Sequence, residues 1–328
     1  MKISYSLGEY VAKFGNNKSL DLVRLLEKTH FDGAWMGDHF HTWWHTDAHA
    51  LQAWIWIAAA EERTERIPIG TGVTAPMFRY HPLIVAQAFA SLATLYPGRV
   101  ILGVGTGEAH NEIPFVGSWP AWRVRAEMLV DAIDLIRKYW TSNDYFDYDS
   151  KYFKVRKAYC LDKPKKAIPI CFAAGGKRSA EIAGKHADHL IAGASLERCR
   201  DVIFPAFERG ARSVGKNIRQ MEKAVYLDVG YGNVGKLVQE FRRTGAGSLL
   251  SDNSDEPDPR KIELSTRDIP DEMIRRNVHF YSRAEEFVEV IDRYGRIGAD
   301  HVILGDWGYA HEETIRIFGE RVIPHFKE

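Results

Sequence analysis

The chain has 328 residues, and its 44 Lys and Arg residues balance 44 Asp and Glu residues, so its formal charge is zero. Without a basic excess it does not resemble proteins that bind nucleic acid or an anionic membrane, and a small molecule is the expected partner. Its cysteines (Cys160, Cys171 and Cys199) show no Cys-x-x-Cys spacing and predict neither a disulfide framework nor a thiolate metal site. This cysteine pattern is typical of the reducing cytoplasm, and since no apolar run approaches the roughly 20 residues that a bilayer requires, we expect a soluble protein.

Short apolar segments alternate with longer segments of helical period, which is the pattern of a parallel sheet built from βαβ units. The predicted strands are 2–7, 33–39, 67–76, 99–107, 168–176, 188–193, 222–232 and 300–308. The predicted helices are 19–30, 48–64, 81–97, 123–140, 177–187, 196–215 and 312–326. Eight strands with intervening helices favour a (β/α)₈ barrel over an open doubly wound sheet.

Two segments stand outside this alternation. Residues 145–158 contain the turn-like "DYDS" and predict a small hairpin. Residues 233–282 contain the polar, proline-bearing loop "SLLSDNSDEPDPRK" and are expected to be an insertion. The prediction is therefore one barrel domain over residues 1–328, with an insertion near its end.

In a barrel of this kind, the chemistry lies at the carboxyl ends of the strands. Polar or small residues end or follow the first five predicted strands: Glu9 and Tyr10, Asp38 and His39, Thr74, Glu108, and Gly175 with Gly176. They are distant in sequence, but a barrel brings strand ends together. We expect these residues to converge on one site.

The stretch "GDHFHTWWHTDAHA" (37–50) is rich in histidine. The spacing of His39 and His41 fits the strand-end metal pair of a barrel hydrolase, in which imidazoles and carboxylates hold zinc. Further ligands are missing, because His186 and His189 are expected at the opposite face of the barrel. We therefore favour no metal and a functional role for His39, with a zinc hydrolase as an alternative. The other three histidines are expected in an aromatic-rich surface loop: His41, His45 and His49.

Two glycine-rich segments invite comparison with phosphate-binding motifs. "GVGTGE" (103–108) resembles a dinucleotide fingerprint, but Glu108 replaces the third glycine and we expect no helix directly after it, so a Rossmann site is disfavoured. In "AAGGKRSAEIAG", backbone N–H groups at a helix start, together with Lys177 or Arg178, are suited to hold a phosphate. A plain loop with solvated charges fits that segment equally well.

Three segments carry a family resemblance: "DHFHTWWH", "RYHPLIVAQAFASLATLYPGRVILGVGTGEAHNE" and "AAGGKRSAEIAGKHADH". They resemble the bacterial luciferase-like superfamily, and within it the branch that uses the deazaflavin coenzyme F420. The greatest similarity is to F420-dependent secondary alcohol dehydrogenases and F420-dependent glucose-6-phosphate dehydrogenases. The resemblance implies a (β/α)₈ barrel with insertions, a homodimer, coenzyme F420 as cofactor, and hydride transfer between an alcohol or sugar CH–OH group and C5 of the deazaflavin.

The resemblance also implies roles for individual residues. His39 is the implied catalytic base, Trp43 orients the substrate or stabilises the intermediate, and Glu108 lies near the ring nitrogen that gains a proton. Glu9 matches a further family carboxylate. The resemblance implies that Asp38 lies beside the deazaflavin ring and that a non-proline cis peptide at Gly72–Val73 lies behind it. The phosphate tail of the cofactor is implied to contact Gly175, Gly176 and Lys177. The further implied cofactor contacts are Thr74, Thr106, Gly107, Glu108 and Ala174. Asp38 is also a candidate to fix the basicity of His39, although neighbours on a strand point to opposite faces.

The substrate class is less constrained. In the sugar-phosphate branch, cationic side chains bind the substrate phosphate, and the first of these positions falls on Val202 here. Together with the aromatic wall expected from Trp43 and Trp44, this favours a neutral alcohol over a sugar 6-phosphate. A reductase or an FMN-dependent monooxygenase of the same superfamily is the alternative within the same fold.

Overall fold

In the computed structural model, which describes residues 1–327, the chain forms eleven β-strands and fourteen α-helices. The strands are β1 Lys2–Ser6, β2 Gly33–Met36, β3 Ile69–Thr71, β4 Val100–Val104, β5 Phe146–Asp149, β6 Lys154–Ala158, β7 Ile170–Ala174, β8 His189–Ala192, β9 Lys223–Tyr231, β10 His279–Tyr281 and β11 His301–Asp306. The helices are α1 Gly8–Phe14, α2 Lys18–Lys28, α3 Ala53–Glu62, α4 Pro82–Leu95, α5 Ala109–Val116, α6 Trp122–Thr141, α7 Lys177–His186, α8 Leu196–Arg198, α9 Phe204–Ser213, α10 Val234–Thr244, α11 Pro259–Ser265, α12 Asp271–Asn277, α13 Ala284–Arg296 and α14 His311–Ile317. No helix in this range combines the length and the apolar character needed to span a membrane.

Eight parallel strands close into a barrel in the order β1, β2, β3, β4, β7, β8, β9 and β11, and β11 pairs with β1 to complete the circle. These strands are the eight segments predicted from the sequence. β5 and β6 form the predicted antiparallel hairpin outside the barrel, and β10 extends the sheet beside β9. The prediction of a (β/α)₈ barrel is confirmed.

The alternation of side chains along the strands determines what fills the barrel. A buried cluster occupies its interior: Trp35, Cys171, Ile191, Ala224 and Ile303. Two residues further along the chain from Trp35, Ile191 and Ile303 stands glycine in each case: Gly37 directly after β2, Gly193 directly after β8, and Gly305 within β11. A Cβ at Gly305 would lie 2.7 Å from the Tyr226 hydroxyl, whereas nothing lies within 4 Å of a Cβ at Gly193. The missing side chain at Gly193 therefore leaves open space above the interior cluster, whereas Tyr226 occupies the space beside Gly305.

Two helices that were not predicted lie at the carboxyl end of the barrel. α1 follows β1 after a single residue and contains Glu9. α5 begins at Ala109, directly after Glu108, so the expectation that no helix follows "GVGTGE" was wrong. This helix has only eight residues and contains Pro114, features that hide it from a search for helical period. The Rossmann alternative is nevertheless excluded, because the sheet closes into a barrel.

The segment 233–282 is more helical than expected. The polar stretch forms short 3₁₀ turns between Ala246 and Asp255, but α10, α11 and α12 occupy much of the rest. Apolar side chains of this segment form a second buried cluster with two tryptophans from outside it: Leu237, Val238, Phe241, Ala246, Ile269, Ile274, Val278 and Phe280, with Trp44 and Trp307. The segment is thereby attached to the loop that follows β2. α13, which precedes β11, was also not predicted.

Candidate active site

A cavity of about 380 Å³ opens at the carboxyl ends of the barrel strands. Six of the residues predicted for the site line it: Glu9, His39, Trp43, Gly72, Val73 and Glu108. They follow four different strands, so closure of the barrel brings together side chains that are up to about 100 positions apart. Tyr226, Asp228 and Trp307, which were not predicted, complete the opposite wall.

His39 is held through one of its two ring nitrogens. Its Nδ1 atom lies 3.1 Å from the carbonyl oxygen of His41 and 3.3 Å from Nδ2 of Asn111. A carbonyl oxygen only accepts hydrogen bonds, so the shorter contact places the proton on Nδ1 and leaves the Nε2 lone pair for the cavity. Burial lowers the pKa of His39 below its ordinary value, and the nearby Glu108 opposes this shift. The imidazole is therefore neutral near pH 7 and able to accept a proton.

Asn111 connects the loop after β2 to helix α5. Its Oδ1 atom accepts hydrogen bonds from the backbone N–H groups of Phe40 and His41, at 2.7 and 3.0 Å. These two donors set the orientation of the amide, so Nδ2 is directed at Oε2 of Glu108, 2.9 Å away. Asn111 was not predicted as a site residue. It stands three residues after Glu108, and the two side chains lie on the same side only when a helix begins at this point.

Glu108 receives donors from two directions. It accepts a hydrogen bond from Asn111, and its Oε2 atom lies 3.2 Å from Nε2 of His110 and 3.8 Å from Nδ1 of His39. Burial favours the neutral acid. The hydrogen bond from His110 and the charges of His110, His39 and Arg79 outweigh it, however, and lower the pKa of Glu108 below its ordinary value. The side chain is therefore a carboxylate at neutral pH.

The same three side chains have the composition of a metal site. Ligand atoms of His39, Glu108 and His110 all lie within 4.8 Å of one another. The Nδ2 atom of Asn111 lies 2.9 to 3.3 Å from each of them, so a hydrogen-bond donor already occupies the space among these atoms. This geometry favours a hydrogen-bond network over zinc coordination.

Asp38 faces away from the cavity. Its Oδ1 atom lies 2.7 Å from Nη2 of the buried Arg79, and its Oδ2 atom accepts a hydrogen bond of 2.7 Å from the fully buried Thr74. Arg79 also approaches the buried Glu112, at 3.7 Å. Asp38 makes no hydrogen bond to His39, whose Nδ1 contacts the following loop and α5 instead, so the suggested effect of Asp38 on the imidazole is not realised. Cofactor contacts of Asp38 and Thr74 stay predictions.

The peptide bond between Gly72 and Val73 is cis, at the position that the resemblance implied. Val73 projects over β4, where a Cβ at Gly105 would lie 2.7 Å from its Cγ2 atom. Thr106 and Gly107 follow in the turn between β4 and α5, and they are outside the lining of the cavity. Their contacts with a cofactor also stay predictions.

The predicted phosphate site lies where β7 leads into α7. Its residues, Ala174, Gly175, Gly176 and Lys177, are not among those that line the cavity, although Gly193 on the neighbouring β8 is. The Gly176 N–H donates to Oγ of Ser179, at 3.1 Å, and Nε of Arg198 donates to the carbonyl oxygen of Gly175, at 3.0 Å. The next N–H groups of the first helical turn have no intrahelical partner, which is the usual basis of anion binding.

The loop after β2 covers one side of the cavity. Trp43 packs edge-on against His110 with ring centroids 4.7 Å apart, and Trp44 packs in the same way against Trp307 at 6.4 Å. His45 is exposed, as expected for a surface loop. His49 is also exposed but lies at the edge of the cavity, and Nδ1 of the half-buried His41 lies 2.9 Å from the carbonyl oxygen of His110.

A second polar group, called here the β9 cluster, consists of Glu9, Tyr226 and Asp228. The Tyr226 hydroxyl donates to Oε1 of Glu9, and Nε1 of Trp307 donates to Oδ1 of Asp228, at 2.6 Å. The other Glu9 oxygen, Oε2, is buried without a hydrogen-bond partner. Burial raises the pKa of Glu9, and it raises the pKa of Asp228 to about 7. A signal for Asp228 was present, because it stands at an inward position of the alternating segment "KAVYLDVGYG".

Comparison with protein families gives one clear match. The model of the family described as luciferase-like monooxygenase matches residues 8–301. The chain belongs to this family. Every predicted site residue, from Glu9 to Lys177, lies within the matched part.

Several relatives and solved structures are similar to this chain over nearly its whole length. An F420-dependent glucose-6-phosphate dehydrogenase of Mycolicibacterium fortuitum is 33% identical over 334 residues, covering 100% of this chain and 98% of the relative. One from Nocardia farcinica is 34% identical, covering 96% and 95%. An F420-dependent secondary alcohol dehydrogenase, solved in complex with an F420-acetone adduct, is 35% identical with a TM-score of 0.95, covering 100% of this chain and 99% of that one. The coenzyme F420-dependent tetrahydromethanopterin reductase of Methanopyrus kandleri, at 21% identity and a TM-score of 0.77, shares the fold. The resemblance inferred from the three sequence segments is confirmed.

Proposed function

We propose that this protein is a coenzyme F420-dependent dehydrogenase that transfers a hydride between the CH–OH group of an alcohol or sugar and the deazaflavin. The observation that carries the proposal is the neutral His39, whose Nε2 lone pair is left for a cavity that Trp43 and Glu108 also line. The similar structures and relatives that carry F420 in their descriptions support it.

The cavity fits a flat cofactor. Open space above the interior cluster, at Gly193 and beside the Gly72–Val73 peptide, leaves room for a planar ring. The backbone N–H groups at the start of α7 support the proposal that this helix binds the phosphate tail. We propose that these elements hold coenzyme F420. When bound, it supplies a hydride acceptor at C5 that works in two-electron steps.

The chain's own residues handle the proton. As the hydride leaves the carbon, the hydroxyl proton moves to Nε2 of His39, and a carbonyl product forms. The resulting imidazolium is stabilised by the Glu108 carboxylate, 3.8 Å from Nδ1. Trp43, held against His110, orients the substrate beside the imidazole.

The lining of the cavity favours a substrate without phosphate. No lysine or arginine among residues 1–327 lines it, whereas three carboxyl groups do: Glu9, Glu108 and Asp228. Three arginines lie near the positions at which the sugar-phosphate branch carries its phosphate-binding cations; Arg200 pairs with Asp201, and the exposed Arg275 and Arg276 lie on α12. A phosphate dianion would meet the Glu108 carboxylate and two further carboxyl groups, with no lysine or arginine in the lining.

The proposal is tested with purified enzyme, coenzyme F420 and a panel of secondary alcohols, glucose and glucose 6-phosphate. Absorbance of the oxidised deazaflavin, oxygen consumption and bound metal are measured. We expect bleaching without oxygen uptake. Turnover should be lost in His39→Ala, which still binds F420, and kept in the matched surface variant His45→Ala. Bleaching only with FMN, stoichiometric zinc without bleaching, or full activity in His39→Ala would contradict the proposal.

We also propose that the protein is a homodimer. Helices α3 and α4 are apolar on most sides and expose large side chains, including Ile55 (73% exposed) and Ile84 (53%). Exposed apolar surface is typical of an interface, and a second copy of the chain is the expected partner. Light scattering should report a dimer that Ile55→Asp with Ile84→Asp converts to a monomer, while Leu161→Asp, at a residue 82% exposed elsewhere, leaves it intact. A monomeric wild-type protein would refute the proposal.

A further inference from the structure

The β9 cluster has hydrogen-bonding capacity that the protein itself does not use. Glu9 Oε2 is buried without a partner, and among the described residues Trp307 is the one hydrogen-bond donor to Asp228. Both side chains line the cavity. A buried carboxyl oxygen without a hydrogen-bond partner is unfavourable, so its presence in a binding cavity points to a ligand that brings hydrogen-bonding groups.

Tyr226 and Asp228 of this cluster stand on β9, three strands away from β2 in the barrel, whereas Glu9 follows β1, the neighbour of β2. Asp228 stands on β9, which lies opposite β3 in the eight-stranded barrel, and the Gly72–Val73 cis peptide follows β3. His39 follows β2 and Glu108 follows β4, the two strands on either side of β3. A ligand whose reacting carbon lies at His39 would therefore reach the β9 cluster with another part of its structure.

The chemistry of the cluster selects the class of ligand. Tyr226 donates to Glu9. Burial raises the pKa of Glu9 and raises that of Asp228 to about 7, so the neutral acid of Asp228 is well populated near pH 7. A neutral carboxylic acid both donates and accepts hydrogen bonds, and so does a hydroxyl group. An anionic group would face carboxyls in a cavity that no lysine or arginine among residues 1–327 lines.

We propose that Glu9, Tyr226 and Asp228 form a hydroxyl-binding subsite, and that the substrate is an unphosphorylated polyol or sugar with a second hydroxyl in this subsite. This inference rests on the proposed dehydrogenase function and narrows its substrate. Asp228 is then a specificity-determining residue. A substrate with a single hydroxyl leaves the cluster unsatisfied, because apolar groups cannot replace the missing donors.

The test compares 2-butanol with 2,3-butanediol, which share a carbon skeleton and differ in the second hydroxyl. For the wild-type enzyme with F420, kcat/KM for the diol should exceed that for the mono-alcohol at least tenfold. Asp228→Leu should remove most of that preference, because kcat/KM for the diol falls more than kcat/KM for 2-butanol. The preference of the isosteric Asp228→Asn variant for the diol should lie between those of the wild type and Asp228→Leu. Asp21→Asn, at an exposed residue, serves as the matched control. F420 affinity, measured by fluorescence titration, should be unchanged, and thermal melts check that each variant folds.

Each alternative gives a different result. Equal losses for both alcohols in Asp228→Leu and Asp228→Asn, or loss of F420 affinity, would overturn the subsite and make Asp228 a structural or cofactor contact. A preference for glucose 6-phosphate over glucose would mean that the subsite binds an anion. A preference for 1-amino-2-propanol over the diol would mean that it binds a cation. Either result would overturn the hydroxyl subsite. If mono-alcohols bleach F420 and the diol is not preferred, the hydroxyl-subsite proposal is refuted and the dehydrogenase proposal is retained. If no alcohol bleaches F420, both proposals fail.

Discussion

Replacement of Asn111 tests how the candidate active site is held together. In Asn111→Ala, the backbone N–H groups of Phe40 and His41 lose their acceptor. A fully buried donor left unsatisfied costs about 1–3 kcal/mol; these two are only partly buried, so we expect about 1–3 kcal/mol in total. Glu108 also loses a donor, and the loop that positions His39 is released. A displacement on the order of 1 Å there would lower kcat about 10²-fold.

The variant Asn111→Asp separates the two roles of the amide. One carboxylate oxygen still accepts from the two backbone donors, so most of the loop's anchoring is kept. The other oxygen replaces an N–H donor beside Glu108 and His39, and the added negative charge raises the pKa of both. The low-pH limb of kcat/KM should therefore move to higher pH in Asn111→Asp, while the free energy of unfolding falls less than in Asn111→Ala.

The assay combines urea denaturation with kcat/KM measured across pH, and Asn143→Ala, at an exposed asparagine, is the control. Wild-type activity in Asn111→Ala would refute the positioning role. So would an unchanged pH profile in Asn111→Asp, because the amide would then have no electrostatic influence on the imidazole.

Three further predictions follow from the same geometry. Arg79→Met leaves the buried Asp38 and Glu112 without their cation, and urea denaturation should show a loss of about 3–5 kcal/mol; a loss under 1 kcal/mol would mean that the ion group is dispensable. Gly193→Val adds a side chain where nothing lies within 4 Å of a Cβ, so the thermal midpoint should be kept while F420 fluorescence titration shows at least tenfold weaker binding; unchanged affinity would place the ring elsewhere. Activity requires neutral His39, and burial lowers the pKa of this residue, so kcat/KM should fall only below about pH 6.5. A fall of kcat/KM with decreasing pH that begins above about pH 6.5 would contradict the assignment of His39 as the base.

The barrel could be predicted because its strands carry a local signal. Segments such as "IPICFAAGG" and "DHVILGDWG" are short apolar runs bounded by turn residues, and each became a strand of the closed sheet. Their ends were less well defined. The predicted second strand extends to position 39, but regular pairing stops at Met36, because glycine and the loop that carries His39 follow.

The site was only partly predictable from the sequence. His39 and Glu108 belong to recognisable segments, and both line the cavity. The partners of these residues could not be read in the same way, because Asn111 acquires its position only from α5, a helix that lacks an apolar period and contains proline. Neighbouring residues were also misleading, since Asp38 adjoins His39 in sequence but turns outward to Arg79.

Contacts between distant strands were the least accessible to prediction. Glu9 and Tyr226 are 217 residues apart, and nothing local indicates that they share a hydrogen bond. Their contact depends on β1 and β9 lying on either side of β11 in the closed barrel. Gly305 on β11 then leaves space for the Tyr226 ring.

The pKa values of two carboxyl groups in one cavity are shifted in opposite directions, because different numbers of hydrogen-bond donors surround them. Burial disfavours the anion at both Glu108 and Asp228. Glu108 has hydrogen bonds or close contacts with Asn111, His110 and His39, and its pKa falls, whereas Asp228 has a single donor and its pKa rises to about 7. Such a separation of pKa values within one site commonly distinguishes a group that stabilises charge from one that binds a neutral partner. It supports a division of labour in which Glu108 stabilises the protonated His39 and the β9 cluster binds the hydroxyl-bearing remainder of the substrate.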